Sequence, residues 1–173
     1  PQYLNSSWER NLVLTAQCDV WVTFVHEGPR YQNSLFYVTY NKINQKTTLG
    51  FIGTGVMGTS MISHLMSHGY QVSIYNRTKE KAKALIDKGA LWSENPQEMA
   101  KKAQVIFTML GYPEDVKKTY LDSNGLIASA KSGTILIDMT TSSPTLAKEI
   151  FLAGQKKQIE VLPYGSRNRR RLH

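Results

Sequence analysis

One hexapeptide narrows the possible folds of this chain more than any other feature: Gly53-Thr-Gly-Val-Met-Gly58. It follows a short apolar run, Thr47-Thr-Leu-Gly-Phe-Ile52, that reads as a strand. It precedes a stretch from Val56 to His68 with apolar residues at Met57, Met61, Leu65 and Met66, a helical spacing closed by Gly69. A glycine-spaced turn between strand and helix gives each glycine a separate task. Gly53 permits the tight turn, Gly55 lets backbone approach a pyrophosphate, and Gly58 lets the helix lie close to the strand. Thr54, Val56 and Met57 complete the loop, whose helix-start amides and dipole suit phosphate. The competing reading is a glycine-rich turn that holds no ligand.

The rest of residues 47–162 alternates between the two periodicities. Gln71–Tyr75, Gln104–Leu110, Thr134–Asp138 and Gln158–Leu162 read as strands. Lys79–Lys88, capped by Thr78 and stopped by Gly89, reads as a helix, and Asn95-Pro-Gln-Glu98 has the form of a capping box. Further helices start at Pro113, with acids at the positive end, and at Ser143-Pro144. This order predicts an α/β fold: a Rossmann-type doubly wound parallel sheet with a β-rich N-terminal extension. Three regions follow: a β-rich extension of unassigned role (1–46), a dinucleotide-binding domain (47–162) and a basic tail (163–173).

The end of the second strand selects the cofactor. NAD binders usually carry Asp or Glu there for the ribose hydroxyls, roughly twenty residues after the turn. This chain has Asn76-Arg77-Thr78. Arg77 can pair with a 2′-phosphate and stack on adenine, with Thr78 and Lys81 adding polar or cationic contacts. The expected cofactor is therefore NADP(H) ahead of NAD(H). The plain alternative is an exposed arginine beside a helix cap.

Four segments taken together, Leu49 to Gly58, Asn76-Arg-Thr78, Thr108-Met-Leu110 and Asp138-Met-Thr-Thr-Ser-Ser-Pro144, resemble the β-hydroxyacid dehydrogenases. That family includes 3-hydroxyisobutyrate dehydrogenase and the cofactor domain of 6-phosphogluconate dehydrogenase. The resemblance spans residues 47 to about 162. It implies that Gly53, Thr54, Gly55, Val56, Met57 and Gly58 line the pyrophosphate, and that Asn76, Arg77 and Thr78 meet the adenosine end. It further implies that Met109 and Leu110 border the nicotinamide ribose and that Thr140 and Thr141 bind substrate. Thr140 stands where the family usually has serine. The resemblance implies hydride transfer between a β-hydroxyacid and its semialdehyde or ketoacid. The family's catalytic lysine, downstream asparagine and helical domain have no counterpart after Val161-Leu-Pro-Tyr-Gly-Ser166, so no catalytic residue is assigned. A small hydroxyacid would be a partner only with a second domain. The other reading is a non-catalytic binding or oligomerisation module, a homo-oligomer joined through an exposed sheet edge.

Composition bounds the remaining classes. Of 173 residues, 41% are apolar and 20% charged, an ordinary globular balance. The net charge of +8 is uneven: +1 over residues 1–46, +3 over 47–162, and +4 over the last eleven residues. Half the excess thus lies in Arg167, Arg169, Arg170 and Arg171, which read as a solvated tail, and nucleic acid is not an expected partner. No apolar run is long enough to cross a membrane and no secretory signal is evident, so the expectation is cytoplasmic. The single cysteine, Cys18, excludes an intrachain disulfide. His64 and His68 lie four apart on a helix without a third ligand, so a solvated or capping role is expected rather than a metal site. Trp8, Trp21 and Trp92 read as packing residues.

Overall fold

The computed structural model describes residues 45–140 and 143–163. The chain divides into two units between Thr47 and Thr48, and the second holds every element described below. The β-rich reading of residues 1–44, and the tail from residue 164, lie outside the described residues, as does Thr141.

The described strands form one parallel sheet. β1 (Leu49–Ile52), β2 (Val72–Tyr75), β3 (Leu91–Trp92), β4 (Val105–Thr108), β5 (Ile135–Asp138) and β6 (Glu160–Pro163) lie in the order β3-β2-β1-β4-β5-β6. The connections carry α1 (Val56–Ser67), a 3-10 turn (Lys79–Ala82) continuing into α2 (Lys83–Asp87), α3 (Pro96–Lys102), α4 (Pro113–Leu121), α5 (Leu126–Ser129) and α6 (Pro144–Lys156). Sequence order reverses between β1 and β4. Chains leaving those two strands diverge, which opens a crevice at their carboxyl ends.

Burial follows from parallel pairing with helices on both faces. Every residue of β1, β4 and β5 is buried, whereas β2 buries only Val72 and Ile74. Alternation sorts the side chains. Phe51 and its register partner Phe107 stack at 5.8 Å on one side. Ile52, Ile106 and Leu136 join Met99, Val116, Tyr120, Leu126 and Ile150 of the helices in one cluster. Each fully buried aliphatic chain contributes about 1.5–3 kcal/mol relative to exposure.

The helix ends use the expected chemistry in most places. Asn95 Oδ1 accepts from Glu98 N at 2.8 Å, and Ser143 Oγ accepts from Leu146 N at 3.2 Å, each ahead of a first-turn proline. After α1, Gly69 N donates to Met66 O and Tyr70 N to Leu65 O; after α2, Gly89 and Ala90 repeat the pattern on Ile86 and Leu85.

α1 forms over the stretch where the spacing predicts a helix, and it buries Gly58, Ile62 and Leu65. Two expectations need correction, one on the Lys79–Lys88 helix and one on the end of β4. The helix expected over Lys79–Lys88 is a 3-10 turn followed by a short α-helix, and Thr78 makes no side-chain cap. The Thr78 carbonyl instead accepts from Asn76 Nδ2 at 2.9 Å. β4 stops at Thr108 rather than reaching Leu110, since the Leu110 amide leaves the ladder for a side chain, Thr140 Oγ1. β3 and α5, of two and four residues, were too short to leave a periodic signal.

Candidate cofactor site

The crevice is built first by backbone. Gly53 has φ +103°, a region that disfavours side chains, and a Cβ there would run into the Met109 carbonyl. Its N–H donates to Tyr75 O at 2.9 Å, which ties the turn to β2. A Cβ at Gly58 would strike the Gly53 carbonyl, so these two glycines are needed for packing. Gly55 differs: a Cβ there meets nothing within 4 Å. Its position faces open space at the start of α1, where Thr59 N makes the first helical bond, to Gly55 O at 2.8 Å. The helix has no side-chain cap and no acid in its first turn. The leading amides are thus left for an anion. Thr54 is buried and its hydroxyl has no hydrogen-bond partner, while Val56 and Met57 stand exposed at the rim. This cradle fits a pyrophosphate.

At the β2 end, Asn76 works within the protein. Its Oδ1 accepts from Thr54 N at 3.2 Å and its Nδ2 donates to Thr78 O, so one amide fastens the glycine turn to the adjoining loop. Arg77 is exposed, and its Nη1 lies 3.7 Å from Asp115 Oδ1 on the first turn of α4. Arg77, Thr78 and Lys81 face Asp115 and Lys118 across a cleft of about 540 Å³ that also reaches Gly53 and Gly55. Sequence reading placed Asp115 only as a favourable helix-start acid. Its position beside Arg77 depends on how α4 packs, and local pattern carries no sign of it.

Met109, Leu110 and Gly111 form the opposite wall. Met109 N donates to Ile52 O at 2.9 Å and Leu110 N to Thr140 Oγ1 at 2.9 Å. Thr140 is buried, and its own N–H donates to Asp138 Oδ1 at 3.0 Å. The same oxygen accepts from Thr108 Oγ1 at 3.0 Å, and Thr108 Oγ1 lies 2.8 Å from the Tyr120 hydroxyl. Burial, then the Asp138 charge, push the Tyr120 phenol well above its ordinary range, so it stays a proton donor. Sequence reading assigned Thr140 to substrate and did not find Thr108, Tyr120 or Asp138 as a group.

Elsewhere, His68 caps α1: its Nδ1 lies 2.9 Å from His64 O and the two rings are 4.5 Å apart. Partial burial, then the neighbouring His68, hold His64 below the usual imidazole range. Trp92 packs on Tyr75 at 5.9 Å under the Lys79 ammonium.

The family described as the NAD binding domain of 6-phosphogluconate dehydrogenase matches residues 48–165. An uncharacterized oxidoreductase of Bacillus subtilis, YkwC, is 52% identical over 117 residues, covering 68% of this chain and 41% of that protein. The probable mitochondrial 3-hydroxyisobutyrate dehydrogenase-like 1 of Arabidopsis thaliana is 47% identical over 112 residues, covering 64% and 34%. This chain thus spans between a third and about two fifths of the length of these curated relatives. Among solved structures, Psf3 in complex with NADP+ and 2-OPP superposes with a TM-score of 0.63 at 31% identity, over 65% of this chain and 40% of that one. Mycobacterium tuberculosis 3-hydroxyisobutyrate dehydrogenase with L-serine gives 0.63 at 29% identity, over 68% and 39%.

Proposed function

The chain belongs to the family of the 6-phosphogluconate dehydrogenase NAD-binding domain and carries that family's dinucleotide-binding fold; from this premise we propose that it binds NADP(H) in preference to NAD(H), as the cofactor half of a β-hydroxyacid dehydrogenase. The single observation that carries the reading is the cleft itself. An uncapped helix start with an open Gly55 stands at one end, and Arg77 and Lys81 stand at the other with no carboxylate directly after β2.

Each residue has a role in this reading. The leading amides of α1 hold the pyrophosphate, with Gly55 giving the close approach and Asn76 keeping the turn in register. Arg77, released from Asp115, takes the 2′-phosphate, and Thr78 and Lys81 flank it. An exposed ion pair of this kind is worth at most about 1 kcal/mol, so a phosphate dianion outcompetes the carboxylate. Met109 and Leu110 border the nicotinamide ribose. When bound, the nicotinamide would supply or accept a hydride, and a β-hydroxyacid or its oxidised partner would be the other reactant. Turnover would need a proton donor beside the bound substrate.

The test is calorimetric titration of the purified chain with NADPH and NADH in parallel, repeated on Asp115→Asn. Micromolar NADPH binding, weaker NADH binding and a two- to fivefold gain for NADPH in the variant, on the order expected for an exposed pair, are the expected results. Equal affinity for the two cofactors would remove the selectivity claim. Binding of neither would remove the cofactor claim.

A second reading, a module that works by self-association, has one observation in its favour: Phe151 and Leu152 are exposed on α6. Sedimentation of the chain at several concentrations decides it.

A further inference from the structure

We propose that Thr140 is a positioning residue that sets the wall of the cleft at Met109 and Leu110 by holding the Leu110 amide. This rests on the dinucleotide reading above and assigns a task to a buried polar group which that reading leaves unused.

The wall at Met109 and Leu110 is pinned by two consecutive amides. One is held by β1 backbone through Ile52 O, the other by a side chain thirty residues away in sequence. A turn fixed at both amides cannot slide without breaking one bond. Sliding would also drive the Met109 carbonyl against Gly53, where no space is left. The wall and the glycine turn therefore move together or stay in place.

Thr140 is itself fixed from behind. Its N–H and the Thr108 hydroxyl both donate to Asp138 Oδ1. Thr108 has one hydroxyl proton and gives it to the carboxylate, so the bond between Thr108 and Tyr120 must run from the Tyr120 O–H to Thr108 Oγ1. Donation then has one direction, from Tyr120 through Thr108 to Asp138. Thr108, Tyr120, Asp138 and Thr140 are all at most 4% exposed. Among these four side chains an unmade hydrogen bond has no water to replace it. Swinging the Thr140 oxygen out of this position would break its bond from the half-buried Leu110 N–H and release the wall. A serine would serve the same bond, and the methyl group of threonine adds packing in a buried place.

The test separates the two ends of the cleft. NADPH and adenosine 2′,5′-bisphosphate, which carries only the adenosine end, are titrated into the unaltered chain, Thr140→Val and Thr140→Ser. Valine keeps the branched shape and removes the acceptor. NADPH affinity is expected to fall about tenfold in Thr140→Val, with the bisphosphate unchanged within about twofold and Thr140→Ser close to the unaltered chain. A parallel loss of both ligands, as general destabilisation would produce, or no loss at all, overturns the proposal. If the unaltered chain binds neither ligand, the dinucleotide reading falls and this inference falls with it. Should Thr140→Val not fold, amide exchange in the unaltered chain decides. Leu110 protected on a par with Met109 supports the proposal, and rapid exchange at Leu110 alone overturns it.

Discussion

The two walls of the cleft are made in opposite ways. The glycine wall lies within six consecutive residues, Gly53 to Gly58, and its shape comes from backbone that tolerates no Cβ at two of three positions. The wall at Met109 and Leu110 has no such local signature. It is held by Ile52, by Thr140, and behind them by Asp138, Thr108 and Tyr120, brought together from β1, β4, α4 and the end of β5. One wall is a property of a short peptide once a strand and helix flank it. The other is a property of the assembled sheet. A cofactor needs both, so a change in either reaches the same ligand by different routes.

The sharpest way to break the comparison is Gly53→Ala. It forces a side chain into φ +103° and against the Met109 carbonyl, so it strikes both walls. Stability should fall by about 3 kcal/mol or more, measured by urea denaturation, and an unchanged midpoint would contradict the packing described. Arg77→Ala should instead leave the denaturation midpoint in place and cost NADPH about ten- to a hundredfold in affinity, the range for a charge-assisted phosphate contact. NADH affinity should not follow it. Gly55→Ala isolates the ligand side of the glycine wall. Its backbone, φ −67° and ψ −175°, suits any residue and its Cβ has room, so the fold should hold within about 0.5 kcal/mol while cofactor binding weakens at least about tenfold. Retained affinity would mean that no phosphate comes close to this position. Tyr120→Phe probes the back of the other wall. Losing one buried donor should cost about 1 kcal/mol in thermal or urea unfolding, with little effect on affinity because Asp138 still holds Thr140.

Much of the fold could be read along the chain because each signal was local and redundant. The strand–glycine–helix junction, the Asn95 and Ser143 caps with their prolines, and the stops at Gly69 and Gly89 each combine a residue type with a backbone requirement. What local pattern does not carry is a task assigned by a distant partner. The spacing of Met57 and Met61 marks a helix, while the face that α1 buries, Gly58, Ile62 and Leu65, is set by packing. Asn76 lines the cleft, and its amide also bridges Thr54 and Thr78, a link that no local pattern shows. Thr140 carries a hydroxyl whose oxygen accepts from the Leu110 N–H thirty residues away.

The chain's own order of residues determined that a parallel doubly wound sheet would form and that its first turn would present bare amides, because strand and helix periods and glycine sterics act over a few residues. Only the tertiary structure decided that Asp115 would stand beside Arg77 and that Tyr120, Thr108 and Asp138 would stack behind Thr140. Those contacts join residues up to 38 apart in the chain. Hydrogen bonds and ion pairs depend on ångström-scale distance and direction, and these come into being only when strand register and helix packing fix both partners at once.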